Sequence, residues 1–199
     1  MSEANKTTGL PEGNRGRDWT TDEYQAAMRA APAYLRRLLV FLKFSSARPG
    51  EARAMQWAQI RPEEGAIIQD AHKTGEHPEP PRRIFLNHVS AKLIAWLGRN
   101  KAHRSFVFTD KCGRPWTRPA LCSCIALVRE RAGLRKEFSA IGGRYMFATR
   151  AFLHGLDAGR IAAILGHSSV ETTRRYAQPN AAAQRAIEKP DHPGTGRET

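Results

Sequence analysis

The sequence predicts a mostly α-helical single domain with a small antiparallel β-sheet, an α+β fold, on three observations. Apolar residues recur at helical spacing along most of the chain. Two short runs rich in branched residues near the centre read as a hairpin. Capping and breaking residues fall at the ends of these runs. A chain of 199 residues is long enough for one well-buried core. Lysine and arginine number 32 against 19 acidic residues, a formal net charge of +13, while 41% of residues are hydrophobic. That describes a folded basic protein and excludes a disordered polyelectrolyte. A surplus of this size points to a polyanionic partner, because phosphate backbones attract basic surfaces through counterion release.

The longest apolar stretch, "YLRRLLVFLKF", is interrupted by two arginines and a lysine, and falls short of the ~20 residues that span a bilayer. The first residues, "MSEANKTTGLPEGNRGRD", hold no apolar signal core. No membrane association and a cytoplasmic location are expected. Cys112, Cys122 and Cys124 are odd in number and lack the spacing of a zinc cluster, so free thiols are expected.

Taken in order, residues 1–18 are polar and expected to be flexible. Thr20 and Glu23 form a capping box for a first helix that Pro32 closes. A second helix over about 34–44 carries Leu35, Leu38, Leu39, Phe41 and Leu42 in core-like spacing. Ser46 or Arg48 can cap a third, with Pro49 at its first position, running to about Trp57. "GAIIQD" and "RRIFL" are the hairpin strands, separated by "AHKTGEHPEPP", whose glycine and three prolines exclude regular structure. Further helices are expected over about 88–98, 118–132, 143–154, 157–165 and 169–177, with "NAAAQRAIEK" forming another before a flexible end. "SFVFT" reads as one more extended piece.

Five chemically active residues then stand in order: Arg48 in "SARPGEARAMQW", Lys73 in "HKTG", Arg144 in "GGRYMFATRAFLHG", His167 in "LGHSS" and Tyr176 in "RRYAQP", nine positions after the histidine. This series resembles the catalytic domain of tyrosine recombinases, the phage-integrase family, over about residues 19–180. Arg48, Glu51, Met55 and Trp57 match the family's first box. Lys73, Thr74 and the arginine-rich strand match its hairpin. Arg144, Phe147, Ala148 and Thr149 match the third box, and Leu165, Gly166, His167 and Tyr176 the last.

The resemblance implies DNA strand cleavage and rejoining in site-specific recombination or integration. Tyr176 would attack the scissile phosphate, leaving a 3′-phosphotyrosyl link and a free 5′ hydroxyl. Arg48 and Arg144 would hold the phosphate, His167 would hydrogen-bond it, Lys73 would protonate the leaving oxygen, and Glu51 would support Arg48. The residue types suit that chemistry. Tyrosine, with an ordinary pKa near ~10, needs an electropositive pocket. Planar guanidiniums make paired hydrogen bonds to phosphate oxygens, and those bonds strengthen as charge builds in the transition state. A positioned lysine acid contributes about 10² to 10⁴ in rate.

Arg82 and Arg83 on the hairpin, and Arg174 and Arg175 beside the tyrosine, are expected to contact DNA phosphates. No cofactor or metal is expected, since the covalent link conserves the bond energy and the sequence holds no phosphate-binding glycine loop or His/Cys cluster. Double-stranded DNA is the expected partner, with a homo-oligomer assembled on it. Residues 181–199 are expected to form a C-terminal helix and tail, docking on a neighbour or folding back.

Two departures from the family pattern stand out. The third box's usual histidine falls on Ile141, which has no hydrogen-bonding group, so reduced activity is expected. Gly142 and Gly143 follow it, each costing about 1 kcal/mol of helix stability relative to alanine, which predicts a less rigid presentation of Arg144. Only about eighteen residues precede the catalytic region, where family members carry a core-binding domain; a partner supplying that domain, a fragment and a minimal enzyme are all open. Two rival functions also remain: a non-catalytic DNA-binding remnant, and a type IB topoisomerase.

Overall fold

The computed structural model describes residues 18–69, 81–99, 105–167 and 169–174. Helix α1 (Thr21–Ala30) starts at the expected capping box: Thr20 Oγ1 accepts from the Glu23 N–H at 3.1 Å and the Glu23 carboxylate accepts from the Thr20 N–H at 2.9 Å. Helix α2 (Ala33–Phe44) is the centre of the molecule. Leu35, Leu38, Leu39, Phe41 and Leu42 are all fully buried, because the apolar positions wrap most of the helix and neighbours cover them from several sides. Those neighbours include α3 (Pro49–Arg53), α4 (His88–Arg99) and α6 (Gly142–Leu153), while α1 packs on α5 (Arg118–Ala132).

The hairpin forms as expected between β2 (Ala66–Gln69) and β3 (Arg82–Phe85), antiparallel, with Ile67 opposite Ile84 and Gln69 opposite Arg82. A two-residue strand β1 (Ile60–Arg61), too short to leave a pattern in the sequence, joins it on the other side in the order β1-β2-β3. The loop that carries Lys73 lies outside the described residues.

Helix α3 ends at Arg53, earlier than expected, because the chain then extends so that Gln56 bridges Phe106 and Met55 accepts from the Val107 N–H. "SFVFT" likewise forms only single bridges, Phe106 to Gln56 and Thr109 to Pro115, and no strand. Helices α7 (Ala158–Leu165) and α8 (Val170–Arg174) pack on each other, with α7 also against α6 and β3. Ala148, Ile161 and Leu165 are the buried members of a small second apolar cluster there. The three cysteines are free.

At the start of α6, Gly143 makes a close approach to α2 that a side chain would block. A Cβ on Gly143 would stand 2.9 Å from the Leu42 carbonyl carbon and oxygen and 2.9 Å from the Trp19 ring. The missing side chain lets α6 lie directly on the end of α2, so the helix cost is offset by close packing. Trp19 in turn is pinned by a hydrogen bond from its Nε1 to the Ser139 carbonyl at 2.8 Å and stacks on Phe138.

Candidate active site

The site is built around the C-terminal end of α7. An α-helix leaves its last carbonyls without intrahelical donors. Gly166 sits in the left-handed region at φ 65° and turns the chain, so that its own N–H reaches the Ala162 and Ala163 carbonyls, and the His167 N–H reaches Ala162 at 3.0 Å. Three consecutive carbonyls remain, and each takes a different arginine. Ile164 O accepts from Arg82 Nη1 at 3.2 Å, Leu165 O from Arg144 Nη2 at 2.6 Å, and Gly166 O from Arg48 Nη2 at 3.0 Å. The negative end of the helix dipole favours this convergence of cations.

Each arginine arrives from a separate element. Arg48 precedes α3, where the Glu51 carboxylate holds it twice, accepting from its backbone N–H at 2.6 Å and from Nη1 at 2.8 Å. Its side chain is 46% exposed. Arg144 comes from the first turn of α6 and is buried, at 2% exposure, donating to Ser46 O as well as Leu165 O. Arg82 comes from β3, and its Nη2 reaches the same Ser46, at 3.4 Å to the carbonyl and 3.3 Å to Oγ. Its Nε reaches Glu51 Oε1 at 3.4 Å.

His167 follows directly. Its Nδ1 lies 2.8 Å from Oγ1 of Thr173, a buried residue of α8, so the histidine is tied to the helix leading toward Tyr176. Partial burial, and then the charges of Arg144, Arg48 and Arg82, push its pKa down from 6.5 to about 4. The imidazole is therefore neutral at neutral pH, poised among three cations.

The structure thus brings Arg48, Glu51, Arg144 and His167 together as the sequence expects. Arg83 points away from them, is half-exposed and pairs with Glu64 on the surface. Arg174 ends α8; Lys73, Arg175 and Tyr176 lie outside the described residues. Ile141 stands just before α6 and offers no side-chain hydrogen bond to it. Sequence reasoning passes over Ser46, Thr173 and the α7 carbonyls, and places Arg82 on DNA. One sequence signal distinguishes the two hairpin arginines: Arg82 is two residues from buried Ile84 and shares its face of the strand, whereas Arg83 alternates outward. Among the described residues no cluster of His, Cys, Asp or Glu is suited to a metal, and no helix is long and apolar enough to cross a membrane.

Comparison with known proteins bears on the fold and the family. Tyrosine recombinase XerD of Corynebacterium glutamicum is 34% identical over 97 residues, covering 49% of this chain and 31% of that protein. Tyrosine recombinase XerC of Chlamydia pneumoniae is 28% identical over 111 residues, covering 56% and 34%. The matched stretch is about a third of the length of these relatives. Among solved structures, XerA recombinase superposes with a TM-score of 0.71 at 20% identity, over 96% of this chain and 68% of that one. The Tn1549 transposon integrase in complex with transposon right end DNA gives 0.69 at 18% identity, over 89% and 67%. The fold is that of a tyrosine recombinase catalytic domain. With residues 18–183 matching the Phage integrase family, the chain belongs to that family.

Proposed function

We propose that the protein cleaves and rejoins double-stranded DNA in site-specific recombination or integration, through a covalent 3′-phosphotyrosyl intermediate. The observation that carries this reading is the convergence of Arg48, Arg144 and neutral His167 on the end of α7, three residues that suit one phosphate. Arg48, half-exposed and oriented by Glu51, meets the phosphate first. Arg144 forms the floor of the site and stabilises charge as the phosphorus becomes pentacoordinate. A Thr173 hydroxyl that donates to Nδ1 leaves the His167 proton on Nε2, available to a phosphate oxygen. Tyr176 attacks, Lys73 protonates the departing 5′ oxygen, and reversal of the same step rejoins the strands. The energy of the broken bond stays in the phosphotyrosyl link, so rejoining requires no nucleotide hydrolysis.

The protein acts in the cytoplasm, as a homo-oligomer on DNA. Solved relatives include a lambda integrase dimer bound to a core site, with a TM-score of 0.62 at 18% identity. Arg83, Arg174 and Arg175 supply sequence-independent phosphate contacts outside the reacting centre.

Ile141 favours a second reading. Without a hydrogen-bonding side chain at that position, turnover is reduced, and in the extreme the domain binds DNA without cutting it. A pool of nicked duplexes of randomised sequence distinguishes the two. The catalytic reading predicts an SDS-resistant protein–DNA adduct that Tyr176→Phe abolishes. DNA binding at low salt with no adduct from the wild type refutes it and leaves the binding module.

A further inference from the structure

We propose that Arg82 is a positioning residue for the cleavage step, clamping the hairpin stem and both phosphate-binding arginines onto the end of α7, and not a DNA contact. This rests on the strand-cleavage reading above. The donors of Arg82 are committed to the protein. Nε faces Glu51, Nη1 faces the carbonyls of Arg83 and Ile164, and Nη2 faces the carbonyl and hydroxyl of Ser46.

The acceptors chosen are the ones that matter. Glu51 Oε1 is shared with Arg48 Nη1, and Ser46 O is shared with Arg144 Nη1. Arg82 is therefore hydrogen-bonded to the immediate partner of each of the other two arginines. Its guanidinium also packs against Gly166. A Cβ there would meet Nη1 at 2.8 Å and Cζ at 3.0 Å, so the residue before His167 is shaped around Arg82. Opposite Arg82 across the hairpin, Gln69 donates from Nε2 to the Glu51 carbonyl at 3.0 Å. The two stem residues that lead into the Lys73 loop thus grip the same glutamate, one by its side chain and one by its backbone.

A planar five-donor fork is suited to this. A lysine ammonium keeps the charge but cannot span Glu51, Ser46 and Ile164 together. Burial pulls the Arg82 pKa down and Arg48 adds to this, while Glu51 opposes it. Removing the fork frees Glu51 to rotate with Arg48, and a misplacement of about 1 Å at a reacting group costs on the order of 100-fold in rate.

The test uses the full chain with Arg82→Lys and Arg82→Met, each first checked for a cooperative thermal transition. On the nicked duplexes, the expected result for both variants is an unchanged Kd and an unchanged salt dependence of binding. Adduct formation at saturating DNA is expected to fall by about 100-fold, with lysine giving no rescue. The Nη–H resonance of Arg48, held by Glu51 and the Gly166 carbonyl, should exchange faster with solvent in Arg82→Met. A salt slope smaller by ~0.9, the share of one phosphate, with normal cleavage at saturation overturns the proposal and returns Arg82 to the DNA contacts. Full rescue by lysine overturns it too, because charge alone is then sufficient. If the wild type forms no adduct, it is the strand-cleavage reading that fails. The Arg48 resonance then decides the clamp by itself, and unchanged protection in either folded variant refutes it.

Discussion

Arg48 and Arg144 carry the same guanidinium to the same three-residue stretch, yet the fold treats them differently. Arg48 precedes a five-residue helix, is 46% exposed, and is held chiefly by a carboxylate three residues away. Arg144 lies in the first turn of a twelve-residue helix pressed onto α2, is 2% exposed, and is held by carbonyls from two distant segments. One is supported locally and reaches out. The other joins the end of α2, the start of α6 and the end of α7, so it belongs as much to the framework as to the site.

That contrast predicts a division between stability and chemistry. Arg144→Met removes donors from two carbonyls; Ser46 O keeps Arg82, but Leu165 O loses its arginine. A buried acceptor left unsatisfied costs about 1–3 kcal/mol. Arg48→Met removes a half-exposed ion pair, worth less than about 1 kcal/mol, and Glu51 retains Arg82. Both variants are expected to lose the covalent adduct, while urea unfolding shows a lowered midpoint for Arg144→Met alone. Equal midpoints would mean that burial of Arg144 does not make it a structural member.

The backbones beneath the two arginines should divide in the same way. Gly143→Ala drives a Cβ to 2.9 Å from the Leu42 backbone, which cannot rotate away, so a loss of about 1–3 kcal/mol is expected. Gly50, in the helix after Arg48, has open space where a methyl group would be added, with nothing within 4 Å, and no positive φ. Gly50→Ala should be neutral or raise stability by about 0.4–1 kcal/mol. Thermal unfolding of the pair checks both signs at once.

These particulars also mark what a sequence can show. Helix positions are legible because caps and breakers fall where periodicity ends: the α5 range of 118–132 matches the sequence pattern, and the Thr20–Glu23 box forms as expected. The set of Arg48, Glu51, Arg144 and His167 is legible because reactive side chains at family spacing are informative. The hub that gathers them is not, since it consists of the backbone carbonyls of residues 164–166, and a carbonyl has no letter of its own. Gly143 misleads for a related reason. Helix propensity is a local quantity, and the contact with Leu42 and Trp19 that requires glycine is a hundred residues away in sequence. The two hairpin arginines look alike in composition, and only strand alternation, anchored on Ile84, separates them.

The smallest expected effect sharpens the comparison electrostatically. His167 is pushed down to about 4, first by burial and then by Arg144 ahead of Arg48 and Arg82. Because its pKa is depressed in the folded state, the unfolded chain binds a proton where the folded chain does not, between about pH 6.5 and 4. Stability is therefore full above that window and falls as the pH drops through it. The effect is modest because the ring is only partly buried and solvent screens it. Removing the arginines one at a time should raise the histidine pKa toward 6.5, and by more in Arg144→Met than in Arg48→Met. An NMR titration of the His167 ring reads this directly, and His167→Gln should flatten the corresponding stretch of the stability curve. The opposite order would mean that the exposed arginine dominates the field at the histidine, and that the buried one is a structural tie with little influence on the chemistry beside it.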